Sequence, residues 1–140
     1  MDASTDAEER SLKLLIADDT PINLALLTKL LTRKGHSVTQ AENGLIAFEH
    51  YKADYFDAVL MDVHMPVMDG LEATQKIRSH EEEAGAPSQI PVIALTANTE
   101  PADRDLYLRS GMDAVLTKPI DIKTLIPTIR EIIAKKNTGA

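Results

Sequence analysis

Short apolar runs alternate with amphipathic helical patterns along the chain, and this alternation is the strongest constraint on its fold. The apolar runs predict five strands, at residues 13–17, 37–41, 58–61, 91–95 and 114–116. Helical patterns follow each of them, at residues 21–34, 45–51, 71–80, 101–110 and 122–133. Because right-handed crossovers place helices on both sides of a parallel sheet, we predict an α/β fold with a doubly wound five-stranded parallel sheet.

The first helix carries the clearest boundary signals. Thr20 is suited to the N-cap position and Pro21 to the first turn, while Gly35 is a typical stop. Apolar residues recur between them at helical spacing, at Ile22, Leu26, Leu27, Leu30 and Leu31. We therefore expect an amphipathic helix over this segment.

Two segments do not fit the alternation cleanly. Residues 80–89 are acidic, contain Gly and Pro and have no core-facing pattern, so we expect a solvated, mobile loop. Pro127 falls inside the last helical pattern, where it removes a hydrogen bond unless the helix starts late or bends.

The composition fits one globular domain of 140 residues, with 44% hydrophobic and 26% charged residues. We expect a flexible acidic tail at residues 1–11, the domain at residues 12–136 and a second tail at residues 137–140. The chain has no cysteine, which excludes disulfides and thiolate metal sites. A net charge of −7 and the lack of a long apolar run predict no direct contact with nucleic acid or membrane, in a cytoplasmic protein or one tethered to a membrane-bound parent.

Polar residues follow the predicted strands at one edge of the sheet. Asp18 and Asp19 follow the first strand, Asp62 the third, Thr96 the fourth and Lys118 the fifth. The carboxyl ends of parallel strands meet at one edge, where ligands of such sheets bind. We therefore expect these side chains to form one site.

The acids of this set need a counter-charge. Two carboxylates about 5 Å apart repel each other by roughly 3 kcal/mol at an effective dielectric of about 20. Lys118 alone cannot neutralise three of them. Either one acid keeps a proton or a hard cation completes the site, and oxygen ligands favour Mg²⁺, with Mn²⁺ as an alternative.

The residue types suggest phosphoryl transfer at this edge. The carboxylate of Asp62 can attack phosphorus to give an acyl phosphate. Lys118 would neutralise the charge on the transferred oxygens, and the hydroxyl of Thr96 would donate a hydrogen bond to one of them.

These segments resemble a known family. The sequences IADDTPIN, LMDVHMPVMDG, ALTAN and LTKPI are similar to the motifs of receiver domains in response regulators and hybrid histidine kinases, over about residues 12–136. The resemblance implies a flavodoxin-like fold with strand order 2-1-3-4-5. It also implies a monomer or weak dimer that takes a phosphoryl group from a histidine kinase or a histidine phosphotransfer domain.

The resemblance also implies roles for individual residues. Asp62 would be the acceptor, Asp18 and Asp19 would organise the magnesium ion, and the backbone carbonyl of His64 would join them. Ala97 and Asn98 would modulate the site, a cis peptide would precede Pro119, and Val115 replaces an aromatic residue of the usual switch. The modulating and switch positions are therefore Ala97, Asn98, Val115 and Pro119, with His64 beside the site.

Other interpretations remain open at this point. The resemblance favours a receiver of a hybrid kinase, with a stand-alone regulator as the alternative. Whether such a domain counts as an enzyme is undecided, because it catalyses only its own modification. A haloacid-dehalogenase-like phosphatase would need an acid where His64 stands, and a flavin-binding module would not place Asp18 and Asp19 against a phosphate. A pseudo-receiver that only binds protein would have lost one of the five site residues.

Overall fold

The computed structural model describes residues 11–97 and 100–138, with side chains described to residue 136. Five strands and five helices alternate within these ranges. The strands are β1 (Lys13–Ala17), β2 (Ser37–Ala41), β3 (Ala58–Asp62), β4 (Val92–Thr96) and β5 (Ala114–Thr117). The helices are α1 (Pro21–Arg33), α2 (Gly44–Ala53), α3 (Gly70–Ala84), α4 (Pro101–Arg109) and α5 (Ile122–Thr138).

The sheet is parallel, with strand order β2-β1-β3-β4-β5. This confirms the predicted doubly wound sheet and its order. β3 lies at the centre and is buried over its whole length, as is β4 beside it. A strand buried on both faces reads as a continuous apolar run, which is why these strands could be predicted from the sequence.

The alternation of side chains along each strand divides the core into two layers. Leu15 of β1 and Val59 of β3 pack on the side of α2, α3 and α4. Leu14 of β1 and Leu60 of β3 pack on the opposite side, against α1 and α5. The site edge is therefore supported from both faces of the sheet.

The start of α1 partly confirms the sequence prediction. Thr20 is the N-cap residue and Pro21 follows it, but the side chain of Thr20 makes no capping hydrogen bond. The apolar pattern is confirmed at Leu27 and Leu31, which are buried, but Leu24 is buried as well while Ile22 is 76% and Leu26 56% exposed. Two apolar side chains of α1 are thus left on the surface.

The expectation of a mobile loop at residues 80–89 is wrong for its first half. α3 continues to Ala84 and ends at Gly85, whose φ of +66° is left-handed. Glu81 is buried, with one carboxylate oxygen on Arg78 at 2.9 Å and the other accepting the N–H of Ile90. A buried acidic residue whose charge is paired can stabilise a helix that has no apolar pattern. Such pairing cannot be recognised from the periodicity of the sequence.

α5 begins at Ile122 and contains Pro127 as its sixth residue, so the helix runs through the proline.

No helix in the described ranges is long and apolar enough to span a bilayer. Of the expected tails at residues 1–11 and 137–140, residues 1–10 and 139–140 lie outside the described part of the chain.

Candidate functional site

The register of the sheet brings the predicted polar residues to one edge. Ala17 of β1 pairs with Met61 of β3, so Asp18 and Asp62 come next on adjacent strands. Asp62 pairs with Leu95 of β4, which places Thr96 one residue beyond. Thr96 pairs with Thr117 of β5, and Lys118 follows.

Three carboxylates converge at this edge. Asp18, Asp19 and Asp62 each offer an oxygen within 4.8 Å of the others. Asp18 is only 4% exposed and Asp62 6%, whereas Asp19 is exposed. The cluster is therefore open to solvent on the side of Asp19 and closed beneath.

Lys118 connects two of these acids. Its Nζ donates to Asp18 Oδ2 at 3.2 Å and to Asp62 Oδ2 at 3.2 Å. Its side chain is 24% exposed, against 5% and 8% for the two aspartates. One ammonium thus bridges the two buried carboxylates and leaves the cluster with excess negative charge.

The pKa values at the site respond to burial and to neighbouring charge. Burial raises the pKa of Asp62, and the nearby carboxylate of Asp18 adds to this, while Lys118 and the backbone N–H of His64 oppose it. Burial alone lowers the pKa of Lys118, but the carboxylates of Asp62 and Asp18 outweigh it and raise the pKa overall. The buried strand β3 thus ends in a carboxylate whose charged form is stabilised by a neighbouring positive charge.

The donor set fits a hard divalent cation. It consists of carboxylate oxygens with one lysine and no sulfur, a set that suits Mg²⁺ or Mn²⁺ better than zinc. The exposed side, at Asp19, leaves room for water and phosphate oxygens, which Mg²⁺ keeps in its coordination shell. Asp18, Asp19 and Asp62 are therefore the residues that could hold it.

Comparison with known families identifies this arrangement. The family model described as the response regulator receiver domain matches residues 14–130, most of the chain. The chain belongs to the response regulator receiver domain family. Receiver domains act in two-component signalling and bind Mg²⁺ at an acidic pocket, so the carboxylate cluster lies where that pocket is expected.

Relatives of this receiver domain include both large and small proteins. It is 41% identical over 128 residues to hybrid signal transduction histidine kinase I of Dictyostelium discoideum, covering 88% of this chain and 7% of that protein. It is 40% identical to sensor protein GacS of Pseudomonas syringae pv. syringae, covering 91% of this chain and 14% of that protein. Protein PilH of Pseudomonas aeruginosa is 37% identical, and there the match covers 87% of this chain and 98% of the relative.

Solved structures share the fold. The receiver domain of Ssk1 from Saccharomyces cerevisiae, crystallised with the histidine phosphotransfer protein Ypd1, superposes with a TM-score of 0.83 at 30% identity, covering 89% of this chain and 90% of that one. The receiver domain of a sensor histidine kinase from Pseudomonas aeruginosa PAO1 gives a TM-score of 0.78 at 33% identity, over 89% and 99% of the two chains. That crystal structure has a magnesium ion coordinated in its active site cleft.

The other predicted residues differ in where they lie. The Lys118–Pro119 peptide is cis, as the resemblance implied. His64 and Ala97 are exposed beside the site, while Asn98 lies outside the described residues. Val115 is 5% exposed, in the core layer of α2, α3 and α4, so its side chain packs inside the domain.

Sequence reasoning missed two glycines that support the loop after β3. A Cβ on Gly70 would clash with the carbonyl oxygen of Asp62, and one on Gly44 would clash with that of Met68. Gly44 also donates its N–H to Met68 at 2.9 Å. Each glycine is the first residue of a helix and directly follows the N-cap residue, Asn43 for α2 and Asp69 for α3. A glycine directly after a typical N-cap residue was the signal that the sequence offered.

Proposed function

We propose that this receiver domain accepts a phosphoryl group on Asp62 from a phosphohistidine, in a reaction that depends on Mg²⁺. The observation that carries the proposal is the contact of Lys118 Nζ with both Asp18 and Asp62, beside a cluster of three carboxylates. The family membership of the chain supports the same chemistry.

The transfer balances with the groups at hand. An oxygen of the Asp62 carboxylate attacks phosphorus, the P–N bond of the donor phosphohistidine breaks, and the electron pair returns to the imidazole, which takes up a proton. The product is an acyl phosphate on Asp62. Hydrolysis of that acyl phosphate by water would return the carboxylate and inorganic phosphate.

Each neighbouring residue would take a separate part in this transfer. Lys118 would stabilise negative charge on the phosphoryl oxygens, and Thr96, buried at the end of β4, would donate its hydroxyl to one of them. Mg²⁺ would supply further charge neutralisation, held by Asp18, Asp19 and Asp62 with the backbone carbonyl of His64. Ala97 and Asn98, which follow Thr96, would set how readily water reaches the phosphoryl group.

The donor would dock on the apolar surface beside the site. Ile22 and Leu26 of α1 are exposed, and Leu26 lines a hollow that also contains Asp18, Lys118 and Ile120. Exposed apolar side chains that border a reactive group are suited to bind a partner that must reach it. A histidine phosphotransfer domain, the partner of Ssk1 in its crystal structure, would fit this surface.

The parent protein we propose is a hybrid histidine kinase. The chain spans 7% and 14% of the lengths of two kinase relatives, so a kinase core would lie elsewhere in such a protein. The match to almost the full length of PilH supports a stand-alone regulator as the alternative. In either case the domain would work in the cytoplasm, free or tethered to a membrane-bound parent.

Phosphoryl labelling tests the proposal. The protein is incubated with acetyl phosphate or a phosphohistidine donor, with and without Mg²⁺, and intact mass is measured. We expect one phosphoryl group per chain only with Mg²⁺, and none in Asp62→Asn, while Asp105→Asn, an exposed acid of α4, labels normally. Undiminished labelling of Asp62→Asn would refute the assignment.

A further inference from the structure

A cavity of about 350 Å³ lies at the end of the sheet opposite to the carboxylate cluster. Tyr55 and Asp57, which precede β3, line one part of it, and Ser88 and Gln89, which precede β4, line another. α2, α3 and α5 contribute further side chains, among them Tyr51, His80 and Lys136. Cavities of roughly 300–1,000 Å³ are typical binding sites for small molecules, and the proposed phosphoryl transfer gives this one no role.

Four polar groups in the walls of the cavity form no hydrogen bond within the described ranges. They are the hydroxyls of Tyr51 and Ser88, the imidazole of His80 and the amide nitrogen of Gln89. Burial and the carboxylate of Glu81 raise the pKa of Tyr51 to about 12, so its hydroxyl keeps its proton and can donate. The walls therefore offer hydrogen bonds to a ligand from groups that the fold itself does not use.

The charged side chains of the walls, in contrast, already have partners. Three of them form ion pairs of 2.7–3.0 Å, which are Asp54 with Lys13, Glu81 with Arg78 and Lys136 with Asp113. The fourth, Asp57, accepts the N–H of Lys13 at 2.7 Å and the hydroxyl of Tyr55 at 2.9 Å. A cationic ligand would have to compete with these donors, and an anionic ligand would meet three carboxylates and a single ammonium group. The cavity therefore favours a ligand without charge.

Aromatic rings supply much of the apolar surface beside these polar groups. The rings of Tyr51 and His80 meet edge to face with their centroids 5.6 Å apart, and Phe48 stacks on Tyr51 at 6.4 Å. Tyr55 is 69% exposed, but its hydroxyl donates to Asp57, so its ring is held beside the cavity. Flat ring systems pack well against such side chains, which favours a flat ligand.

These properties together define one class of ligand. It is flat, carries no charge and has hydrogen-bond donors and acceptors along its edge. A nucleobase has this chemistry, and an attached ribose adds hydroxyls, whereas an attached phosphate adds the negative charge that the carboxylates of the cavity oppose. We propose that the cavity at the amino ends of β3 and β4 binds a nucleoside through its base.

The proposed nucleoside site is separate from the reactive edge. Its residues precede β3 and β4 or lie on helices, whereas Asp62 is the last residue of β3 and Lys118 follows β5. A bound nucleoside would connect the end of α2 with the loop before β4, and it would stabilise the folded chain, as does any ligand that binds only the folded state. The site does not depend on the proposed phosphoryl transfer, so each proposal can fail without the other.

Amide spectra of the full chain test the site. Adenosine, guanosine, cytidine and uridine are titrated separately into isotope-labelled protein. For at least one of them we expect saturable shifts at Tyr51, Ser88 and Gln89, no shift at Asp19, and a rise in the midpoint of thermal unfolding. The absence of saturable shifts with all four nucleosides, or shifts centred on the carboxylate cluster, would overturn the proposal.

Two further compounds test the charge and the hydrogen bonding of the ligand. The monophosphate of the nucleoside that binds should bind at least severalfold more weakly, because its phosphate is repelled by the carboxylates of the cavity. Toluene, a flat ring without hydrogen-bonding groups, should also bind at least severalfold more weakly. Binding of either compound as tight as that of the nucleoside would contradict the assigned ligand class.

Single variants separate hydrogen bonding from packing. Tyr51→Phe keeps the ring and removes only the hydroxyl, and Gln89→Ala changes an exposed side chain, so both variants should fold. We expect each to weaken nucleoside binding severalfold. Gln75→Ala, on the exposed side of α3, is the matched control and should bind as the parent protein does. Unchanged affinity in both cavity variants, or an equal loss in Gln75→Ala, would rule out this site.

Discussion

Lys118 Nζ lies 3.2 Å from a carboxylate oxygen of Asp62, a residue 56 positions earlier in the chain. The same nitrogen lies 3.2 Å from Asp18, which is 100 positions earlier. The lysine therefore occupies the oxygens that a metal ion and a phosphoryl group would also use. One ammonium group thus contacts both buried acids.

Removing this lysine should strengthen Mg²⁺ binding and, because the phosphoryl oxygens lose a positive charge, slow phosphorylation of Asp62. A divalent ion and an ammonium about 6 Å apart repel each other by roughly 1.4 kcal/mol in a water-like dielectric. We therefore expect Lys118→Met to bind Mg²⁺ up to about tenfold more tightly by calorimetry. Lys76→Met, on an exposed face of α3, is the control, and equal or weaker affinity in Lys118→Met would contradict this electrostatic description.

Asp19 should contribute to metal affinity without contributing to the core. It is the exposed member of the cluster, so its loss removes ligand charge and leaves packing intact. We expect Asp19→Asn to weaken Mg²⁺ binding by about tenfold or more, since ligand charge tunes such sites. Without metal, the midpoint of thermal unfolding should rise slightly, because the substitution removes one of the repelling carboxylates. Asp105→Asn serves as the control, and equal Mg²⁺ affinity in all three proteins would exclude Asp19 from the site.

Gly70→Ala should disturb the end of β3 through the backbone. The added methyl group would meet the carbonyl oxygen of Asp62 and the side chain of Met61, both fixed in the sheet. We expect a loss of about 1–3 kcal/mol in the free energy of unfolding, typical of overpacking, together with weaker Mg²⁺ binding. Urea titration and calorimetry measure the two effects, with Ser79→Ala on the exposed side of α3 as the control. A variant with wild-type stability and affinity would show that the loop can move aside.

Arg78 should be a major determinant of stability. It donates to the carbonyls of Gly111 and Ile90 and contacts Glu81 and Asp113. Arg78→Met would leave the buried Glu81 without its counter-charge, while Asp113 keeps Lys136, and we expect a cost of about 3–5 kcal/mol in the free energy of unfolding. Arg109→Met, whose ion pair on α4 is exposed, should cost less than about 1 kcal/mol.

Mg²⁺ affinity separates the role of Arg78 from a role at the site. Because its partners lie at the amino ends of β4 and β5, the folded Arg78→Met variant should bind Mg²⁺ as the parent protein does. A weakened Mg²⁺ affinity at a temperature where the variant is fully folded would link the two ends of the sheet.

His36 should make stability depend on pH. Its Nδ1 accepts the N–H of Leu12, and burial together with the charge of Arg130 lowers the pKa of the imidazole. The unfolded chain, with a pKa near 6.5, then binds the proton more readily, so this contribution is complete above about pH 6.5 and is lost as pH falls through the lower folded value.

Urea unfolding at several pH values measures this contribution. Between pH 7 and pH 5, His36→Gln should lose less stability than the parent protein, and His50→Gln should follow the parent. Parallel pH profiles for the parent protein and His36→Gln would exclude His36 as the cause.

Strand positions and the site edge were predictable because both depend on local patterns. Buried parallel strands are continuous apolar runs, and the polar residue that ends each run marks the carboxyl edge, as at Asp62 and Thr96. The five strand predictions agree with the structure to within one residue at each end. Assignment of Asp62 as the acceptor, in contrast, rests on chemistry and on the family and remains a prediction.

Features that depend on packing between distant segments could not be predicted. Glu81 reads as a solvated acid until Arg78 and the N–H of Ile90 are placed around it. Ile22 and Leu26 read as core residues until the orientation of α1 turns Leu24 inward. In each case a tertiary contact, and not the apolar periodicity of the sequence, decides whether the side chain is buried.

The Arg78 cluster lies at the opposite end of the strands from the carboxylates, a separation of about 17 Å for a five-residue strand. Residues that hold the domain together are thus remote from residues that repel one another at the reactive edge. Exposed residues at the carboxylate edge can therefore be substituted while the contacts of Arg78 hold the other end of the sheet. Because the two ends of the strands are far apart, changes at the carboxylate edge need not disturb the contacts that stabilise the fold.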